Sequence, residues 1–188
     1  VGDLTMGDNT SINLNGNLLA LNGSYTSIST SASIDASAPG SNLFISSADA
    51  ANIPADFISN DVANFTIENS AGATVNSTMN ITEILDVREG TLTTGDHITM
   101  VCTFTPERKT AQIDQLDGTI SGDVTAEQCF PARRAFRFVS SSTSTSTTIR
   151  QNWQEDASAW NNDPNPGFGT HITGVEPDNP NSNPPVSA

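Results

Sequence analysis

Short runs in which apolar and polar residues alternate occupy the first part of the chain. Leu4-Thr5-Met6, Ile12-Asn13-Leu14 and Leu19-Ala20-Leu21 each place two apolar side chains on one face of an extended segment, which is the period of a β-strand. Asn15-Gly16 and Asn22-Gly23 follow the second and third runs. Asn tolerates the left-handed conformation and Gly adopts it freely, so the chain bends there. One such pair is typical of a hairpin, but two in succession fit the corners of a coiling β-structure equally well.

The alternation resumes after residue 63 and continues to about residue 100. The strands predicted in this part of the chain are Phe65-Thr66-Ile67, Met79-Asn80-Ile81, Leu85-Asp86-Val87 and Ile98-Thr99-Met100. Residues 48–62 lie between the two regions and are rich in Ala, Asn and Asp. That segment is predicted to form either a helical turn or a loop that protrudes from the strands.

Two segments of the chain match each other. Residues 90–96 (GTLTTGD) align with residues 118–123 (GTISGD) when a single position is deleted, so that Gly90 corresponds to Gly118. Phe65 and Leu85 give a second, shorter spacing. A repeat of this kind cannot bury its apolar face alone and does so by stacking on its neighbours. The predicted fold class is therefore all-β, a right-handed parallel β-helix (a β-solenoid) with irregular coils over residues 1–130.

The pattern changes at residue 131. Residues 131–139 hold three of the seven basic residues, a Ser/Thr tract follows, and both tryptophans come next. We interpret residues 131–174 as a transition or the start of a small β-rich domain. Residues 175–188 are rich in Pro and Asn and have no apolar periodicity, so they are predicted to form a linker without regular secondary structure.

Acidic residues outnumber basic residues by 21 to 7, and the formal net charge is -14. This charge repels the phosphates of nucleic acids and of anionic lipids, so neither is predicted as a partner. No apolar run reaches the roughly 18 residues that a membrane-spanning helix needs. The first residues do not resemble a signal peptide. We therefore expect the chain to be processed, or to be part of a longer one.

The sequence contains no catalytic motif that we recognise. Neither Gly-x-Ser-x-Gly nor a Gly-rich phosphate loop occurs, so no enzyme activity, catalytic residue or cofactor-binding residue is predicted. Asp114, Asp117 and Asp123 are interpreted as solvated aspartates of turns. Stacking of the coils leaves two alternatives open for them, namely a calcium site built from oxygen ligands alone and catalysis by paired carboxylates.

Trp153 and Trp160 are the only tryptophans. The favoured interpretation places them in the core of a small domain that follows the solenoid. The alternative is an aromatic surface on which carbohydrate rings stack, which implies a polysaccharide partner.

The two cysteines, Cys102 and Cys129, occupy nearly the same place in the matched repeats. Equivalent residues on adjacent coils lie roughly 4.8 Å apart, a distance that a disulfide permits. The alternation opposes this pairing, because Met100 puts Cys102 on one face whereas Ala126 puts Cys129 on the other. A β-bulge would correct the parity. The residues alone therefore leave open whether the two thiols are bonded.

A succession of motifs gives the chain a resemblance to a known group of proteins. The motifs are GTLTTG at 90–95, GTISGDVTAE at 118–127, PARRAFRF at 131–138, NWQE at 152–155 and GFGTHITG at 167–174. Their order resembles the β-helical repeat regions of large secreted surface proteins of Bacteroidota, which usually end in a sorting domain read by the type nine secretion system. The sorting domain is not recognisable in this sequence, which again indicates part of a longer protein.

The resemblance implies a role and a location. The role is that of a structural segment, a stalk or adhesin scaffold, in a secreted or cell-surface protein. Implied partners are the secretion machinery during transit, with surface polysaccharide or other chains of the same large protein as further candidates. Two alternative functions stay open, a polysaccharide-binding module and a fragment of a polysaccharide lyase.

Overall fold

The computed structural model describes residues 3–23, 27–28, 31–54, 57–58, 61–103, 108–129, 144 and 146. The chain divides into two compact units, Val1–Phe130 and Pro131–Ala188. Every described strand belongs to the first unit. Apart from residues 144 and 146, the predicted transition at 131–174 and the predicted linker at 175–188 lie outside the described residues.

The described part of the first unit consists of short strands and turns and contains no helix. The strands are β1 (Thr5–Met6), β2 (Ser11–Asn13), β3 (Leu18–Leu21), β4 (Ser27–Ile28), β5 (Ser33–Asp35), β6 (Asn42–Ile45), β7 (Ala51–Ile53), β8 (Val62–Glu68), β9 (Ala73–Val75), β10 (Met79–Glu89), β11 (Thr91–Thr93), β12 (Ile98–Met100), β13 (Cys102–Thr103), β14 (Lys109–Thr110), β15 (Gln112–Ile113), β16 (Thr119–Ser121) and β17 (Val124–Ala126). Strands pair in parallel with strands one turn away, which builds a solenoid of about five turns. The prediction of an all-β fold made of stacked parallel coils is confirmed.

Two sheets run along the solenoid. The broad sheet has the strand order β17-β12-β10-β8-β6-β3, with β15 also pairing with β10, and the narrow sheet has the order β16-β11-β9-β7. Parallel pairs of β1 with β4 and of β2 with β5 complete the first coils, and β13 and β14 form an antiparallel hairpin. We number the coils by these strands: the first holds β1–β3, the second β4–β7, the third β8–β9, the fourth β10–β11 and the fifth β12–β16, and β17 begins the sixth.

Both spacings found in the sequence correspond to paired residues. Phe65 pairs with Leu85, and Thr91 pairs with Thr119. The coils differ in length because extra residues lie outside the stacked strands. The fifth coil is long because it contains the β13–β14 hairpin. In the fourth coil, β10 contains extra residues at two places where its register against β8 shifts, as at a β-bulge.

Alternate side chains of β3, β6, β8 and β10 point into the solenoid and form two fully buried columns. The columns are Leu43-Phe65-Leu85 and Leu21-Ile45-Ile67-Val87. Burying one such side chain contributes about 1.5–3 kcal/mol relative to leaving it in water. Because each residue packs on its equivalent in the next coil, the apolar core runs the length of the stack.

The expectation for residues 48–62 is corrected by the structure. Residues 51–53 form β7, which pairs in parallel with β9 at the edge of the narrow sheet. Ala51 and Ile53 are buried, and Asn52 between them is exposed. The segment did alternate, but its apolar residues include alanines, which favour strands weakly. Pairing with the next coil, and not local propensity, makes it a strand.

The first Asn-Gly pair forms a corner, as predicted. Asn15 and Gly16 both have positive φ angles, 46° and 84°. The N–H of Asn15 donates to the side-chain oxygen of Asn13 (2.9 Å), and the N–H of Gly16 donates to the Ser41 hydroxyl in the next coil (2.9 Å). Ser41 is fully buried, so this corner is fixed by the coil beside it.

Candidate functional site

The structure does not gather the three aspartates that were candidates for a calcium site. Asp114 and Asp117 lie between β15 and β16, where both accept hydrogen bonds from Gln115. Asp123 lies beyond β16, and its N–H donates to a carboxylate oxygen of Asp96 (2.8 Å). A strand of the narrow sheet separates the two places. Within the described ranges, no three His, Cys, Asp or Glu side chains come together to hold a metal ion.

The two cysteines form a disulfide in the structure, with their Cα atoms 5.7 Å apart. The parity argument against this pairing does not apply, because neither sulfur belongs to the parallel ladder. That ladder ends where Met100 pairs with Ala126. Cys102 lies past Val101 at the start of the antiparallel hairpin, and Cys129 lies beyond the end of β17. Outside the parallel ladder, the alternation of that ladder no longer fixes the direction of a side chain.

Polar contacts surround the disulfide. The N–H of Cys102 donates to a carboxylate oxygen of Glu127 (2.9 Å), and its sulfur lies 3.3 Å from the Thr110 hydroxyl. Arg108 donates to the carbonyl oxygen of Cys129 (3.3 Å). The bond therefore joins the hairpin of the fifth coil to the segment that follows β17.

A second cluster centres on Glu83, in the middle of β10. One of its oxygens accepts from the N–H of Gly40 (3.1 Å) and from the side-chain amide of Asn64 (2.9 Å), and the other forms an ion pair with Lys109. These partners belong to the second, third and fifth coils. The Glu83 side chain is 16% exposed, whereas that of Lys109 is 53% exposed. One carboxylate in the fourth coil thus holds three other coils.

The environment of Glu83 lowers its pKa below the ordinary value for glutamate. Burial acts in the opposite direction and raises the pKa, but the hydrogen bonds from Lys109, Gly40 and Asn64, together with the charge of Lys109, outweigh it. A carboxyl group whose pKa is lower in the folded state stabilises the fold at pH values above its unfolded pKa. That contribution disappears as the pH falls through the folded pKa.

Replacement Glu83→Gln is expected to cost about 1 kcal/mol of stability at pH 7, because it removes the ion pair and weakens two hydrogen bonds. The difference between wild type and variant should shrink as the pH falls below about 4.3, the unfolded pKa. Urea denaturation at pH 7, 5 and 3.5 measures it. Glu89→Gln alters an exposed carboxylate of the same strand and is the matched control, expected to stay within about 0.5 kcal/mol. A Glu83→Gln deficit that is constant over this pH range would contradict the assignment.

Two fully buried polar side chains fasten the corners that flank the narrow sheet. The amide of Asn69 donates to the carbonyl of Asp49 in the preceding coil (3.0 Å), while its oxygen accepts from the N–H of Ala71 (3.0 Å). The hydroxyl of Thr94 donates to the carbonyl of Asp123 in the following coil (2.8 Å). Each satisfies a backbone carbonyl at a corner between strands.

Charged side chains also cross the outer surface of the broad sheet. Arg88 forms ion pairs with Asp86 (2.7 Å) and with Glu68 of the preceding coil (3.6 Å), and its guanidinium lies 5.9 Å from the centre of the Phe44 ring. The hydrogen bond to Asp86, followed by the charges of Asp86 and Glu68, raises the pKa of Arg88. Three adjacent coils therefore meet at this one cation.

Trp153 and Trp160, the candidates for a carbohydrate-stacking surface, lie outside the described residues.

In the described part of the chain, no helix is long and apolar enough to cross a membrane. What the geometry does present is a series of side chains that bind one coil to the next. In comparisons with known proteins, no family model, no curated protein and no solved structure matches the chain.

Proposed function

We propose that this chain is a structural segment of a secreted or cell-surface protein, in which it acts as a stalk or adhesin scaffold. The observation that supports the proposal is that every junction between the numbered coils carries a side-chain fastening. Polar groups on the solenoid are thus directed along the axis, toward the next coil.

The fastenings differ in chemistry from junction to junction. Side-chain hydrogen bonds join the first coil to the second (Asn13 to Asp35, 3.2 Å), the second to the third (Thr66 to Asn42, 3.2 Å), the third to the fourth (Asn80 to Asp61, 3.0 Å) and the fourth to the fifth (Thr94 to the carbonyl of Asp123, 2.8 Å). The disulfide joins the fifth coil to the sixth. A stack built in this way resists separation of its coils at several independent places.

The physical value of these fastenings lies in their distribution. In a solenoid each coil pairs its strands mainly with those of its neighbours, so the weakest junction limits the strength of the whole stack. A single side-chain hydrogen bond contributes only about 0.5–1.5 kcal/mol. Placing at least one side-chain fastening at each junction raises the strength of the weakest junction. A segment that transmits load requires this.

The surface setting is part of the same proposal. It is supported by the resemblance to secreted surface proteins of Bacteroidota, and by a disulfide, which persists in oxidising compartments. Transit through the type nine secretion machinery and contact with other chains of the same large protein follow from that resemblance. A net charge of -14 suits a chain that must stay soluble outside the cell.

A replacement experiment in the full-length protein tests the scaffold role. Residues 1–130 are exchanged for a Gly/Ser linker of equal length, or for an unrelated parallel β-solenoid of similar length, with surface display held equal. Adhesion of the cells under flow should be lost with the linker and restored by the unrelated solenoid. If the unrelated solenoid fails to restore adhesion, or if the isolated 188-residue chain binds a polysaccharide on a glycan array, the segment is a specific binder and the proposal fails.

A further inference from the structure

We propose that the Cys102–Cys129 disulfide is a mechanical bypass, which carries tension past the last described strands instead of through them. The load path follows from the covalent connectivity and the strand order. Its biological use rests on the scaffold role proposed above.

Without the bond, tension that enters the first unit from the C-terminal side would reach β17 first among the described strands. This strand forms one end of the broad sheet and pairs only with β12 among the described strands. Its apolar residues, Val124 and Ala126, are only half-buried. An edge strand with three paired residues and a thin apolar contact is the easiest part of a solenoid to peel away.

Two further strands between the cysteines, β15 and β16, each pair with one described strand. β16 forms the end of the narrow sheet, where it pairs with β11. Gln112 and Ile113 of β15 pair with β10 alone among the described strands, and both residues are exposed. Peeling would therefore continue from β17 back through the fifth coil, one weakly paired strand after another.

With the bond in place, the same tension passes from Cys129 directly to Cys102 and enters β12. This strand lies between β10 and β17, with three paired residues on each side. Ile98 and Met100, its inward-facing residues, are buried. The load is thereby transferred from an edge strand with one neighbour to an interior strand with two.

Contacts beside the disulfide keep the bypassed segment in place while it carries no load. Glu127 accepts from the N–H of Cys102, and its own N–H donates to the carbonyl of Met100 (2.9 Å). β17 thus stays paired with β12 and reinforces the strand that bears the tension.

Single-molecule force spectroscopy on the whole chain, tethered at its two ends, tests this inference. The cysteines have a sequence separation of 27 and lie 5.7 Å apart in space, so the bond hides roughly 9 nm of contour length. The oxidised wild type should unfold to a total length shorter by that amount than the Cys102→Ser/Cys129→Ser variant. Its first rupture should also occur at a higher force.

A second arm does not depend on the folding of the variant. A small dithiol is added after the wild type has folded; it reduces the disulfide to two thiols and itself becomes a cyclic disulfide. The reduced wild type should show the longer contour length and the lower first rupture force of the Cys102→Ser/Cys129→Ser variant. The Glu127→Gln variant keeps the bond and should show the short contour length. Equal lengths in oxidised and reduced chains would overturn the inference. So would the expected difference in length without any change in the first rupture force. In either case the scaffold role would still be decided separately by the replacement experiment.

Discussion

Replacement Gly90→Ala is expected to destabilise the solenoid by about 4 kcal/mol or more, beyond the range of most single substitutions. Gly90 turns the corner between β10 and β11 with a φ of 77°, where a residue with a Cβ atom is strained. A Cβ atom built there would lie 1.8 Å from the carbonyl oxygen and 2.8 Å from the carbonyl carbon of Asn69. Both atoms belong to the backbone of the preceding coil, so the overlap can be relieved only by parting the two coils.

Separation of the third and fourth coils would also break the corner that Asn69 holds. Its N–H donates to the carbonyl of Glu89 (3.3 Å), and its side-chain amide donates to the carbonyl of Asp49. Because Asn69 is fully buried, the loss of Glu89 leaves its backbone N–H without a partner and without water, at a further cost of about 1–3 kcal/mol. The loss of stability in Gly90→Ala should therefore exceed the loss that a Gly→Ala change usually causes at a position with positive φ.

Urea denaturation and thermal melting of the two proteins measure this effect. Gly7→Ala is the matched control, since Gly7 does not have a positive φ and no atom lies within 4 Å of a Cβ built there. The control should stay within about 0.5 kcal/mol of wild type. If Gly90→Ala proved as stable as Gly7→Ala, the close stacking of the third and fourth coils would be wrong.

The strands and their stacking could be predicted because the sequence repeats the inward-facing residues. Leu92 and Ile120 are equivalent apolar residues in matched segments, and the structure pairs them. Phe65 and Leu85 show the same correspondence one turn apart. The alternation of a strand and the need to fill a column with similar side chains are both local signals, so a single sequence contains them.

The alignment of the repeats was correct at β16 but not beyond it. Thr93 pairs with Ser121, and the next pair in the ladders is Ile98 with Val124. Four positions thus separate the paired strands in one repeat and two in the other, so the deletion is longer than the single position that the alignment assumed. The register after a corner depends on the path of the corner, which alternation does not report. This is why the pairing of the cysteines could not be decided from the sequence.

The fastenings between coils could not be found from local pattern either. Glu83 is bound by Gly40, Asn64 and Lys109, which lie 43, 19 and 26 residues away in the sequence. Nothing near any of these residues indicates the contact. The missed signal is indirect: Asn64 pairs with Ile84, and the register shift between Ile81 and Ile84 interrupts the alternation at Glu83, whose side chain reaches the Asn64 amide.

Removal of the disulfide in the Cys102→Ser/Cys129→Ser variant is expected to lower the stability of the C-terminal coils by about 3–4 kcal/mol. The bond closes a loop with a sequence separation of 27. Opening a loop of that length raises the conformational entropy of the unfolded chain, which favours unfolding by this amount. Because a solenoid is stabilised junction by junction, the loss should fall on the fifth and sixth coils. The first coils should keep their stability.

Hydrogen exchange of individual amides in the folded protein separates these two regions. The N–H of Glu127 donates to Met100 beside the disulfide, and the N–H of Leu14 donates to Asp35 (2.9 Å) at the other end of the solenoid. In the variant, the Glu127 amide should exchange at least about 100-fold faster, and the Leu14 amide at an unchanged rate. The wild-type protein must first be shown to have no thiol that can be alkylated, so that both of its cysteines are in the disulfide. Equal acceleration at both amides would show that the coils unfold as one unit, and an unchanged Glu127 amide would show that the disulfide does not secure the last coil.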